Sequence, residues 1–257
     1  MLNIPIAVVN ASNLVSHEEV LAATAALQVQ VHRDFAPVWN VDADLAVVGP
    51  GNPPPSGAWW IVIMDYSDLG TALGYHDLTP QGLPLGKVFV QNAKLNGQQW
   101  TVLLSHEILE MLSDPFINLT ALAPSTSGIY LFAYENCDAC QSDETGYLIE
   151  DQLVSDFCLP AWFDATQFGG PGPFDFRRLM NSPFELLPGG YAMCRNLSIN
   201  SGWYLVTGPR DEQFAYDTRP RVGSRRERRK IGMQNWVKST VRPGPDFTVA
   251  DVIRPRF

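Results

Sequence analysis

Residues 98–113, QQWTVLLSHEILEMLS, narrow the folds open to this chain more than any other stretch. Read as a helix, they place Trp100, Leu103, Leu104, Ile108, Met111 and Leu112 on one broad side, with Val102 and Leu109 toward the other. A helix apolar on almost every side belongs inside a layered domain. Its polar members His106 and Glu110 fall about 40° apart, at 100° per residue. A strip that narrow on a buried helix needs partners, because unpaired polar groups are costly to bury. Asp114-Pro115 then stops the helix, since the residue before proline disfavours the αR region.

The elements upstream supply the layer for it. IPIAVV at 4–9 reads as a strand, and Ser16 with Glu19 has the spacing of a capping box opening a helix to about Phe35, before Pro37. Residues 38–48 read as a second strand, GPGNPPPSG at 49–57 as a loop, and AWWIVIMD at 58–65 as a buried third strand. GKVFVQNA at 86–93 alternates as a fourth, and Pro80 and Pro84 before it suggest a sheet edge. Beyond Pro160 the texture turns to Gly, Pro and aromatics, with hairpin strands expected around a Pro-Gly-Gly turn. Trp162, Phe163, Phe174, Phe176, Trp203 and Tyr204 are the expected core there. The expected fold is α+β: an α/β-like lobe over 1–159 and a smaller β-rich lobe over 160–257.

Charge is distributed unevenly. Residues 1–209 hold 6 Lys/Arg against 21 Asp/Glu, whereas 210–257 hold 12 against 6. An acidic body argues against nucleic acid as a partner, because phosphate binding needs basic side chains to displace counterions. Only the basic run RPRVGSRRERRK at 219–230 could serve that role, and an exposed loop explains it as simply. No stretch approaches 18 uninterrupted apolar residues and the start has no basic n-region, so the expected location is cytoplasmic, or outside the cell without a Sec signal. Cys137, Cys140, Cys158 and Cys194 read as reduced thiols, because a zinc knuckle needs a second close cysteine pair.

The chemistry concentrates in His106-Glu107-x-x-Glu110. Two ligands at i and i+4 on one helix face can hold one ion, and a carboxylate at i+1 reaches water bound to it from the side. His106 and Glu110 are then metal ligands and Glu107 the general base for hydrolysis. His17-Glu18 shows how readily half of the pattern arises, since its fourth following residue is Leu21.

The helix motif and the order of elements before it resemble the zincin metallopeptidases, whose active-site helix bears His-Glu-x-x-His behind a substrate-pairing edge strand. More narrowly, SHEILEMLSDP, YENCDACQ, VSDFCLPAWF and PGGY resemble a family of bacterial zincin-like proteins that carry HExxE followed by Asp-Pro. The resemblance runs over roughly 1–205. It implies a mixed sheet with an active-site helix, a metal-dependent peptidase, and an extended peptide or protein substrate added to strand 86–92. Glu110 stands where zincins have their second His. One His with two carboxylates neutralises a zinc ion, which weakens its Lewis acidity and favours harder ions; zinc is still the first expectation, with Mn or Ca as alternatives.

By the same resemblance the third ligand is Glu135, 25 residues beyond Glu110. Asp138 and His76 are the alternatives, and His76, Tyr134 and Tyr147 are candidate oxyanion donors. Asp114 is about 12 Å along the helix axis from His106, too far to share its ion. The competing expectation is a zincin-shaped binding or structural protein without catalysis, within a larger assembly.

Overall fold

The computed structural model describes residues 3–49, 51–125, 128–199, 202–209, 214–218 and 236–240, the last two segments as backbone. The chain is α+β and divides into two compact units. One comprises Met1–Phe116 and Gln141–Phe157, the other Ile117–Cys140 and Cys158–Phe257. The crossing after Phe157 lies close to the boundary expected at 159, but Ile117–Cys140 leave the first lobe. The basic run 219–230 lies outside the described residues.

The first unit begins with β1 (Asn3–Asn10), whose Ile6, Ala7 and Val8 are buried. Ser16 caps α1 (His17–Val29): its hydroxyl accepts from Glu19 N at 3.1 Å, and Ser16 N donates back to Glu19 Oε2 at 2.6 Å. After Val29 the helix widens into a π-helical segment, Gln30–Phe35, in which Gln30 and Asp34 are both buried. A π segment admits an extra residue per turn and so re-aims side chains. The strand expected from 38 starts only at Asp42. Residues before it form α2 (Ala36–Trp39), because Pro37 presets φ for a first helical turn, and α2 stops at Asn40 with φ of 55°.

β2 (Asp42–Val48), β3 (Trp59–Met64), β4 (Gly74–Leu78) and β5 (Pro84–Phe89) complete a five-stranded sheet in the order β2-β1-β3-β5-β4. All neighbours run parallel except β4, which is antiparallel to β5. The stretch 86–93 therefore departs from expectation twice. Its strand is internal, paired with β3 and β4, and Val90 opens helix α3 (Val90–Leu95). Pro84 marks the strand's first residue, where a missing N–H is tolerated, and not a sheet edge. The strands at the two ends of the sheet are β2 and β4, and β4 carries His76.

α4 (Trp100–Ser113) packs across β3, β4 and β5, and every residue from Thr101 to Ser113 is buried. Its Leu, Ile and Met side chains are each worth about 1.5–3 kcal/mol when withdrawn from water. The hairpin β8 (Tyr147–Ile149) and β9 (Gln152–Val154) also belongs to this unit, and β9 packs on both α1 and α4. Helix α4 is thus held between a sheet and a hairpin.

In the second unit β6 (Thr120–Ser125), β7 (Gly128–Ala133), β10 (Tyr191–Asn196), β11 (Tyr204–Thr207), β12 (Phe214–Thr218) and β13 (Trp236–Thr240) form an antiparallel sheet ordered β13-β12-β11-β10-β7-β6. Trp162, Phe163, Phe174 and Trp203 are buried as expected, whereas Phe176 and Tyr204 are half-buried. The Pro188-Gly189-Gly190 turn leads into β10 and does not join two strands; β10 pairs with β11 across 197–203. The stretch before the turn is drawn elsewhere, with Phe184 N donating to Trp162 O at 3.1 Å and Leu187 N to Ala139 O at 2.9 Å. All four cysteines are buried. Among the described residues no helix is long and apolar enough to cross a membrane.

Candidate metal centre

The polar strip of α4 meets the one imidazole that β4 carries. His106 Nε2 and Glu110 Oε2, one helical turn apart, are separated by 3.2 Å. From β4, His76 Nδ1 lies 3.6 Å from Glu107 Oε2 and 3.7 Å from Glu110 Oε2. His76, Glu107 and Glu110 thereby offer ligand atoms all within 4.8 Å of one another. These four residues are between 0% and 5% exposed.

The strand period explains how β4 reaches the site. Gly74 and His76 are two residues apart and so share a face, and His76 is registered opposite Gly86 of β5. The face beneath Glu107 therefore has two missing side chains and one imidazole. A Cβ on Gly74 would fall 2.6 Å from Glu107 Oε1, and one on Gly86 would fall 2.3 Å from Ile61 Cδ1 and 3.7 Å from Glu107 Cβ. The glycines are the space into which the carboxylate descends. Tyr75 and Lys87, paired across the same strands, occupy the alternate positions: the ammonium lies 5.3 Å from the Tyr75 ring centroid and both groups bond Asp68. Burial raises the Asp68 carboxyl, but the bonds from Lys87 and Tyr75 outweigh it and hold it below the usual carboxylate range.

The donor chemistry matches a divalent cation. Donors about 2.0–2.1 Å from a tetrahedral ion lie about 3.4 Å apart, and within the group of His76, Glu107 and Glu110 the imidazole–carboxylate separations are 3.6 and 3.7 Å. Glu107 Oε2 is buried and accepts no hydrogen bond among the described residues. A carboxylate enclosed beside a second carboxylate needs a cation or a proton to balance it. Imidazole nitrogen with carboxylate oxygen is an acceptable zinc set.

Behind the site a second polar group sets the register of α4. Ser105 Oγ donates to Gln30 Oε1 at 2.7 Å and accepts from Ser155 N at 3.0 Å. Gln30 Nε2 donates to Ser155 O at 2.8 Å and to the Tyr147 hydroxyl at 3.0 Å, which itself donates to Asp34 Oδ2 at 2.9 Å. Gln30 and Asp34, four residues apart on the π segment, are both buried where they make these bonds. Burial, and then the negative charge of Asp34, push the Tyr147 hydroxyl far above the usual tyrosine range. Tyr147 is thus engaged as a structural donor.

The remaining candidates are distributed between the units. His76, His106, Glu107 and Glu110 lie in the first. Glu135 and Asp138 lie in the second: Glu135 follows β7, and Asp138 opens a short 3-10 turn, Asp138–Cys140, both buried. Tyr134 is also there, its ring centroid 4.0 Å from that of Phe163, and burial raises its hydroxyl. Asp114 is the C-cap of α4, its N–H donating to Glu110 O at 2.8 Å. Gly74 and Gly86 were missed from the sequence; the signal was the Gly-x-His period in GYHD, legible only once that segment is known to be a strand.

Comparison with protein-family models, curated proteins and solved structures finds no match to this chain.

Proposed function

We propose that this protein is a metal-dependent peptidase of zincin type, with His106 and Glu110 as ligands to one divalent cation and Glu107 as the general base. The observation that carries the reading is Glu107 Oε2, buried without a hydrogen bond and facing the imidazole-carboxylate cluster at 3.6 Å from His76 Nδ1. The mixed sheet supports it as well: of its two terminal strands, β4 is antiparallel to its neighbour and packs under α4. When bound, the ion polarises a carbonyl and acidifies water. Glu107 is placed to take a proton on Oε2 and return it to a leaving amine. The strand to which an extended peptide adds is β4, not 86–92, since β5 is paired on both sides.

The test is a pair of variants. The parent protein should retain about one zinc per chain and hydrolyse members of a broad peptide library; His106→Ala should lose the metal, and Glu107→Gln should keep it while hydrolysis falls by about 10²–10⁴-fold. Equal turnover by Glu107→Gln and parent would sink the assignment. A second reading rests on the closure of the site, whose residues are at most 5% exposed. Such a site suits an ion that ties β4 to α4 without turnover, and metal retention with no hydrolysis by any form would favour it.

A further inference from the structure

We infer that the side chain of Gln28, on α1, stands in for one residue of a further strand beside β2, and so closes that end of the sheet to strand addition by a second copy of this chain. The inference is independent of the metal and of hydrolysis. It goes beyond the function proposed above, because it concerns the opposite end of the sheet from β4.

In a parallel pair, alternate residues of a strand bond the neighbour, and the residues between them point both N–H and C=O away from it. β2 is parallel to β1 on one side and is the last strand of the sheet on the other. Gln28 Nε2 donates to Ala43 O at 2.8 Å, and Leu45 N donates to Gln28 Oε1 at 2.6 Å. Ala43 and Leu45 are therefore the residues that point outward. An acceptor on one residue and a donor two residues further on are the pair of groups that one residue of a parallel neighbour would bond. The carboxamide takes that residue's place. Ala43 N is occupied as well, donating to Asp42 Oδ1 at 2.8 Å.

The amide is held in position from behind. His32, four residues after Gln28 and within the π segment, has Nε2 2.7 Å from Gln28 Nε2 and Nδ1 2.5 Å from Asp42 Oδ1. The carboxylate can only accept, so Nδ1 carries the hydrogen and Nε2 accepts the second hydrogen of the Gln28 amide. Both hydrogens of that amide are then used, one on Ala43 O and one on His32. Its oxygen is left facing Leu45 N.

Symmetry identifies what is kept out. Two copies related by a twofold axis would pair β2 with its own counterpart, antiparallel, about the outward residue Leu45. That pairing needs the outward groups of Ala43 and Leu45, which Gln28 and Asp42 hold. An uncovered terminal strand is a template for such pairing, and covering it with side chains prevents association at little cost.

The experiment uses the full chain, followed by hydrogen exchange and sedimentation. In the parent, the Leu45 amide should exchange at least about tenfold more slowly than that of Val47, the next outward residue, which the Gln28 amide does not bond. Gln28→Leu keeps the bulk and removes both amide groups. It should lower the dimer dissociation constant at least about tenfold below the parent's, because the outward groups become available. Adding Leu45→Pro, which deletes the N–H that a second copy would bond and is tolerated on a terminal strand, should restore the parent's mass.

Equal exchange at Leu45 and Val47 in the parent, or a parent-like mass for Gln28→Leu at every concentration, would overturn the inference and leave the peptidase reading standing. Association that persists after Leu45→Pro would put the contact elsewhere and overturn it too. Failure of the parent to retain zinc would bring down only the metal reading. Should Gln28→Leu not fold, the exchange of the parent still decides.

Discussion

Glu107 Oε2 and His76 Nδ1 face each other at 3.6 Å from a helix and a strand that are separate in sequence, and the glycines at 74 and 86 make the approach possible. A side chain at either glycine would occupy volume that Glu107 or Ile61 already fills. The site is therefore built as much from two absent methyl groups as from the four polar side chains it presents.

Gly74→Ala tests that statement. The added methyl would meet Glu107 Oε1 at 2.6 Å, so the carboxylate must move. Overpacking of this kind costs about 1–3 kcal/mol, read as a lower urea midpoint. Under the peptidase reading, kcat should fall more than KM rises, since what moves is the base. Unchanged stability and turnover would show that Glu107 does not occupy the glycine gap.

Ser105→Ala removes a hydroxyl that serves two buried partners, Gln30 Oε1 and Ser155 N. Leaving buried polar groups unsatisfied costs about 1–3 kcal/mol. At about 2–4 °C per kcal/mol for a domain of this size, thermal scans should show a drop of several degrees. A shift within the noise of the scan would mean that the bonds do not hold α4 in register.

Tyr147 gives a pH dependence. Its hydroxyl titrates above the usual tyrosine range in the folded chain, pushed up by burial and by Asp34. The unfolded chain releases that proton near pH 10, so the folded state binds more protons above it. The stabilisation is full below about pH 10 and is lost as pH rises toward the folded value. Urea midpoints should therefore decline between about pH 10 and 11 in the parent, and less steeply in Tyr147→Phe. Parallel curves would refute the role given to this hydroxyl.

Metal removal should lower stability by mass action. A cation that binds only the folded chain stabilises it by about 2.7 kcal/mol at a hundred times its dissociation constant. Adding zinc to stripped protein should raise the thermal midpoint, and a chelator should reverse the rise. The same titration on His106→Ala should be flat.

Local signals were strong enough to be read directly. The Ser16–Glu19 cap and the stop of the apolar helix 100–113 at Asp114 are set by contacts within a few residues, and the β1 and β3 runs by their apolar composition, which is why period and capping rules find them. Where long-range contacts set the outcome, those rules failed. Pro84 looked like an edge marker but begins an internal strand, and Gly74–Leu78, which carries no strand signal of its own, is a terminal strand because of its pairing with β5. The continuation of α1 into a π segment was equally invisible, since it depends on where Gln30 and Asp34 find partners.

What the sequence alone determined is the chemistry available: one imidazole and two carboxylates fixed on a buried helix by its 3.6-residue period. The tertiary structure decided which other imidazole meets them. Antiparallel pairing of β4 with β5 turns the Gly-x-His segment so that His76 faces α4, and His76 and Glu107, 31 residues apart in sequence, come within 3.6 Å. No local preference encodes that meeting, because it depends on the burial of a whole helix against a sheet.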